Sequence, residues 1–318
     1  MKKFLQDLET ELRKNNLSDE EISEIIADHE EMIETAMNEG LTDAELEKKF
    51  GNPKEVAEEL SQFSEKKEKG RENKKMKRQE FTGIEEGYHI NIGLINEDIE
   101  FQTNEDGKII IEYSGKRDLE DYTIEFNNNE LVLKTPKKRE IGSFFGHEKN
   151  QFTISLPQGL KIGNFILKEI NGDIELAKHE SESLQLDTKN GDLKLSEFKT
   201  NTLKLNTING DVNMEDILCK TISVSQISGD LQMKKVTAIG DFDAHSVSGD
   251  MNFENVNCDE FTMKTVSGDV NAYEFYPTSV SLNSVSGDIT ITNTDMSKTI
   301  DVKHERSVSG DIKIRIKK

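Results

Sequence analysis

Tryptophan is absent from the 318 residues, and aromatic side chains make up only 6% of them. Hydrophobic residues of every kind reach 33% against 32% charged, too few to fill the thick core of a conventional globule of this length. A thin core in a repetitive, elongated architecture suits such a composition better. Cysteine is nearly missing as well. Cys219 and Cys258 are too few for a disulfide framework or a zinc cluster. No stretch approaches the roughly 20 apolar residues of a membrane-spanning helix. The segment Met1–Glu11 carries two lysines but meets acidic residues before any apolar run, unlike a secretory signal. The expected location is therefore the cytoplasm, with membrane association only through a partner. Basic residues are the minority, 41 against 62 acidic, for a net charge of −21. That balance repels nucleic-acid phosphates and disfavours a nucleic-acid partner.

What is present begins with helical punctuation over residues 1–63. Phe4, Leu5, Leu8 and Leu12 fall on one helical face. Ser18 with Glu21 reads as a capping box ahead of the stripe Ile22, Ile25, Ile26, His29, Ile33, Ala36 and Met37, which Gly40 closes. A second box runs from Thr42 to Glu45 and opens a short helix that ends at Gly51. Asn52-Pro53 starts another helix, with proline at its tolerated first position and Val56, Ala57, Leu60 and Phe63 facing inward. His29, alone on an apolar stripe, is expected to be a packed residue. Residues 64–80 hold eight basic and four acidic side chains with almost no apolar content, the composition of a charged linker.

From residue 170 the chain repeats itself. Asn-Gly-Asp or Ser-Gly-Asp recurs with glycines at 172, 191, 210, 229, 249, 268, 287 and 310, a near-constant step of 19 residues broken by one of 20 and one of 23. A fixed period of this length marks a solenoid. Inside each period the apolar residues alternate, at two and four positions past the glycine (Leu193 and Leu195, Val212 and Met214, Ile289 and Ile291) and again about twelve and fourteen past it (Leu203 and Leu205, Ile222 and Val224). This is strand periodicity. Nineteen residues are too few for a βαβ unit, which needs 30 or more, but enough to circle once and pair with the previous rung. The predicted fold is therefore mainly β, a parallel β-helix or β-solenoid of ~19-residue rungs behind a small all-α domain. The tripeptides are read as corners, with glycine supplying a backbone angle that other residues resist. The longer rungs then carry their insertions at corners. Cys219 and Cys258, both nine residues past a glycine and two rungs apart, are expected to stand ~9–10 Å from each other, too far for a disulfide.

Residues 81–165 show less regular strand-like pieces, including Ile90/Ile92, Ile99/Phe101, Ile109/Ile111, Ile124/Phe126 and Phe152/Ile154, with Asn127-Asn128-Asn129 as a turn. They are read as degenerate rungs or a β cap, since the open end of a solenoid must be covered. The expected division is 1–63 helical module, 64–80 linker, 81–165 irregular β cap and 166–318 regular solenoid. Phe144 and Phe145, set among charges, are candidates either for packing over the solenoid end or for partner binding.

Two resemblances accompany these residues. The segment FGNPKEVAEEL (Phe50–Leu60), following LSDEEISEIIADHEEMI, resembles the small HAAS domain, of the DUF1700-like group at the N-terminus of many Firmicute proteins. That resemblance implies partner binding in membrane or envelope-stress regulation rather than chemistry. FTISLPQGLKIGNFILKEINGDIEL and the rungs after it resemble the DUF4097 family, bacterial β-strand-repeat proteins often described as adhesins, and imply a β-helix-like fold over about residues 85–318.

Chemistry finds few footholds. Asp173, Asp192, Asp211, Asp230, Asp250, Asp269, Asp288 and Asp311 align once per rung, so corner capping competes with an acidic ladder that binds cations. The six histidines, at 29, 89, 147, 179, 245 and 304, are scattered, and no HExxH, GxSxG, Walker or dinucleotide motif occurs. A non-enzymatic interaction scaffold without cofactor is expected, its protein partners bound through the helical module and the solenoid faces. An adhesin-like protein that binds glycan or another surface ligand is the alternative.

Overall fold

The structure is a computed structural model that describes residues 2–15, 22–23, 25–26, 52–54, 56–57, 77–115, 117–135 and 150–316. His29, the two capping boxes, Phe144 and Phe145 lie outside the described residues. Two compact units divide the chain near residue 75.

In the first unit, α1 (Lys2–Lys14) buries Phe4, Leu8 and Leu12 against Ile22 and Ala57, with Leu5, Ile25, Ile26 and Val56 at the margin. The face follows from the i, i+4, i+8 spacing of Phe4, Leu8 and Leu12. Asn52 caps the turn that Pro53 begins: its Oδ1 accepts from the Lys54 amide at 2.9 Å, and its carbonyl accepts from Val56 N at 3.0 Å.

The second unit is a single hydrogen-bonded sheet of 19 strands among the described residues. It starts at β1 (Lys77–Phe81), so the last four residues assigned to the linker are strand instead. Arg78 and Gln79 alternate across β1 in antiparallel register with β4 (Ile109–Ser114), and two-residue alternation within so charged a segment is easily missed. The first rung consists of β2 (His89–Gly93) and β3 (Asp98–Asn104). The second is β8 (Ile162–Glu169) with β9 (Ile174–Ala177), laid parallel on the first in a register of 75 residues, as in Ile90↔Phe165 and Ile99↔Ile174. Between the two rungs the chain makes an excursion that contains β4 and the hairpin of β5 (Thr123–Asn127) and β6 (Glu130–Lys134). That hairpin turns through Asn128 and Asn129 at φ 52° and 60°. It returns through β7 (Gln151–Pro157), antiparallel to β4 and parallel to β3. Degenerate rung and antiparallel addition thus coexist in 81–165.

From β9 onward every pairing is parallel and advances by one rung: Leu193↔Val212, Val212↔Leu231, Leu231↔Met251, Met251↔Val270, Val270↔Ile289 and Ile289↔Ile312. The extra residue of the 20-residue rung falls at 239–241, in the connection between strands Leu231–Ala238 and Phe242–Ser246, as expected. Of the extra four in the 23-residue rung, three fall in the connection at 294–300, and the fourth is a bulge inside strand Asp301–Ser309, where the register steps from Val280↔Val302 to Ser281↔His304. Side chains two, four, seven, nine, twelve and fourteen past the glycine point inward, so each rung has three sides, within the reading of at least two strands per rung and with one inward pair beyond those picked out in the sequence. The third inward pair is exemplified by Phe198 and Thr200, Ile217 and Cys219, and Val256 and Cys258. Its corner, six past the glycine, is a left-handed residue that is not glycine: Lys178, Glu197, Asp216, Lys235, Asn255 and Glu274, at φ 49–62°. Cys219 and Cys258 are buried thiols with Ala238 in register between them. Burial pushes both up to about 12, so they are inert to exchange at neutral pH.

Candidate functional site

The Asn/Ser-Gly-Asp corners line up in one row, and each of the three residues has a separate task. Each aspartate Oδ1 accepts the backbone amide of the next aspartate, at 2.8–2.9 Å from Asp192 through Asp311. The column has a ninth member outside the tripeptide repeat, since Asp98 Oδ1 accepts from Asp173 N at 3.0 Å. Its signal was legible: Ile95-Asn96-Glu97-Asp98-Ile99 is Ile170-Asn171-Gly172-Asp173-Ile174 with glutamate in the glycine's place. Where the first residue is asparagine, the amides chain together, Asn171 to Asn96 at 2.6 Å, then Asn190 to Asn171 and Asn209 to Asn190 at 2.8 Å.

Of the eight aspartates suggested for cations, the seven from Asp173 to Asp288 therefore each commit one oxygen to the backbone, and Asp311, last in the row, pairs with Lys313 at 2.6 Å. Among the described residues no group of three or more His, Cys, Asp or Glu is disposed to hold a metal ion. Asp250→Ala is expected to lower unfolding free energy by about 1 kcal/mol, the size of a lost cap, whereas Asp250→Asn, which keeps an Oδ1 acceptor for Asp269 N, loses less than half of that. Urea midpoints compare them; equal losses would show that the oxygen does not act as a cap.

Two outward faces remain as candidates for binding. On the side of the rung just past the glycine, Lys194, Asn213, Gln232, Asn252, Asn271 and Thr290 stack along a groove of about 640 Å³, with Ser196, Glu215, Lys234, Glu254, Tyr273 and Thr292 beside them. The four carboxamides are exposed and make no side-chain hydrogen bond among the described residues. Tyr273 stands 50% exposed at one end. The other face precedes the corner. There, Ile208, Ile227, Val247, Val266, Val285 and Val308 point outward on six successive rungs, 38–69% exposed. The neighbouring residues, three before each glycine, point inward although they are polar: Thr188, Thr207, Gln226, Ser246, Thr265 and Ser284. Three of these turn their hydroxyls back to the corner, Ser246 to the Ser248 carbonyl, Thr265 to that of Ser267 and Ser284 to that of Ser286, at 3.2–3.3 Å. Polar-in and apolar-out at one corner inverts the usual pattern, so alternation alone did not reveal the stripe.

At the start of the solenoid the same inward column holds Glu169, 2% exposed. Its Oε1 accepts the amides of Ile170 and Asn171, while Oε2 has no partner among the described residues. Burial, with Glu97 and Asp98 adding to it, pushes the carboxyl up to about 8 against the two amides. Glu97, fully buried, accepts from Tyr122 Oη at 2.8 Å and pairs with Arg117 at 3.3 Å. His179 takes an inward position that Phe198 and Ile217 fill in the next rungs, and burial lowers it to about 4. These groups sit inside the coil, and Glu169 also borders the groove that passes over Ile170 and Ile208.

The Toastrack DUF4097 model matches residues 88–223 and 209–318, and the HAAS model matches residues 3–59. No curated protein matches the chain. A crystal structure of a candidate adhesin from Bacteroides fragilis is 19% identical, covering 76% of this chain and 98% of that one with a TM-score of 0.46. A candidate lipid-binding protein from Parabacteroides distasonis is 13% identical over 76% and 98%, with a TM-score of 0.48. A candidate cell-adhesion protein from Clostridium sporogenes is 11% identical over 76% and 100%, with a TM-score of 0.25.

Proposed function

Because the chain belongs to the Toastrack DUF4097 family, we propose that it is a non-enzymatic binding protein, an interaction scaffold whose rigid outer columns dock a protein partner. The helical module recruits a membrane-associated regulator of the cell envelope, and the protein works in the cytoplasm. One observation carries the reading: side chains are repeated outward at a rung spacing of ~4.8 Å on a backbone locked by corner bonds, which makes a flat, periodic surface rather than a cleft. No helix among the described residues is long and apolar enough to cross a membrane, so membrane contact on this reading runs through the partner.

The free carboxamides favour a second reading. Stacked Asn213, Gln232, Asn252 and Asn271 offer donors and acceptors in register, and Tyr273 offers a ring face, a combination suited to the hydroxyls and apolar faces of a glycan chain. On that reading the protein is adhesin-like and faces outward. Protease treatment of intact cells separates the two. A full-length chain that stays whole until the cells are broken and then co-purifies with a membrane protein supports the scaffold; cleavage on intact cells removes it in favour of the adhesin.

A further inference from the structure

The outward apolar stripe has no role in holding the coil together, because the core is filled from the inward positions. Its surroundings are unusual for this chain. Across the outward positions two, four and six before each glycine, from Ile166 to Val308, there are five cations, Lys168, Lys189, Lys204, Lys264 and Arg306, against two carboxylates, Asp187 and Asp243. That face is +3 on a chain of −21. Lys168 reaches Asp187 at 3.8 Å. Lys189, Lys204, Lys264 and Arg306 form no ion pair among the described residues. Between these cations a groove of about 750 Å³ runs over Ile170, Ile208, Ile227 and Val247.

We propose that this stripe docks an amphipathic α-helix of a partner protein, its apolar face lying on Ile208, Ile227, Val247, Val266, Val285 and Val308 and its flanks acidic. The inference rests on the docking-scaffold reading and names the chemistry of the partner. Direction selects a helix. The stripe runs across the strands, whose backbone groups are already paired to the neighbouring rungs, so no strand can add to this face. A helix laid along it presents apolar residues every ~5.4 Å, close to the rung spacing of ~4.8 Å. Five steps span ~24 Å, about 16 helical residues. Charge selects acidic flanks, since four unpaired cations gain opposite partners only from outside. It also disfavours an anionic bilayer, because a broad surface would meet the corner aspartates Asp211 to Asp311 as well as the cations.

Fluorescence anisotropy with the full chain tests this. The probe is a synthetic 18-residue helical peptide with leucine at every third or fourth position and glutamate on both flanks. The expected result is saturable binding that weakens at least tenfold with Val247→Lys/Val266→Lys, weakens and loses salt dependence with Lys204→Glu/Lys264→Glu, and is absent for the same peptide with lysine in place of glutamate. Equal binding of the lysine peptide overturns the proposal, as does binding unchanged in both double variants. So does capture of the chain by phosphatidylglycerol vesicles when the acidic peptide fails to bind. A chain that ignores the peptide yet still co-purifies with a membrane protein from broken cells would remove this helix site and leave the scaffold reading standing.

Discussion

Gly249→Ala is expected to lower unfolding free energy by about 3 kcal/mol or more, because two independent costs coincide at that corner. Its backbone lies at φ +114°, and a Cβ built there would fall 1.8 Å from the carbonyl oxygen of Gly229 in the rung before. Gly210, Gly229, Gly268, Gly287 and Gly310 repeat the arrangement, all at positive φ and all against the preceding glycine's carbonyl, whereas Gly172 and Gly191 share the close carbonyl without the positive φ. The column is therefore glycine for closeness as much as for angle: one side chain would push two rungs apart and stretch the amide bonds of the aspartates next to it. Two comparison variants separate the costs. Gly83 has φ +74° with open space around it, and Gly240 has a Lys220 carbonyl at 3.1 Å without a positive φ. Gly83→Ala should lose about 1 kcal/mol and Gly240→Ala less than that. Urea unfolding followed by circular dichroism in the strand region compares the three. If Gly249→Ala loses no more than Gly83→Ala, the stacked carbonyl is not a constraint and the ladder has slack.

Much of this coil was legible before any coordinates. Period and alternation sufficed for the rung, the corner row and the inward pairs Leu193/Leu195 and Leu203/Leu205, because those signals are local and repeat eight times. The third side of the rung was harder to read. Its corner uses Lys178, Glu197, Asp216, Lys235, Asn255 and Glu274 in the left-handed region, and none of these residue types announces a turn as glycine does. The first rung escaped for a different reason: Glu97 stands where glycine was expected, and 75 residues rather than 19 separate it from the next rung. Most hidden was the face proposed for docking. Val247 and Val266 look like core residues by hydropathy, and Ser246 and Thr265 look like surface, whereas the backbone turning into the corner places each pair the other way round.

Raising the pH from about 5 to 8 is expected to cost wild-type protein about 3 kcal/mol that Glu169→Gln does not lose. The sign follows from the direction of the shift. The Glu169 carboxyl, about 8 in the folded coil against 4.5 for an ordinary glutamate, holds its proton when folded and releases it when unfolded. The unfolded state therefore binds fewer protons across that window, and stability falls as the pH rises through it. Glutamine at this position reproduces the protonated form: its carbonyl can still accept from Ile170 and Asn171, its NH₂ replaces the carboxyl hydroxyl, and no charge appears beside Glu97 as the solution becomes alkaline. His179 acts in the opposite sense, since its lowered value means that stability present above about 6.5 is lost as the pH falls toward 4. That slope is common to both proteins and cancels in their difference. Paired urea titrations at pH 5, 6, 7 and 8 should thus give curves that meet at the acid end and diverge steadily toward the alkaline end, with the Gln variant above. Parallel curves would mean that water reaches Oε2 and that the carboxyl ionises at ordinary pH. The outcome also bears on how the coil begins, because Glu169 and Glu97 occupy the junction where the 75-residue excursion rejoins the first rung. A proton held on Glu169 keeps a second negative charge out of that junction, and its loss would loosen the first two rungs before the seven that follow them.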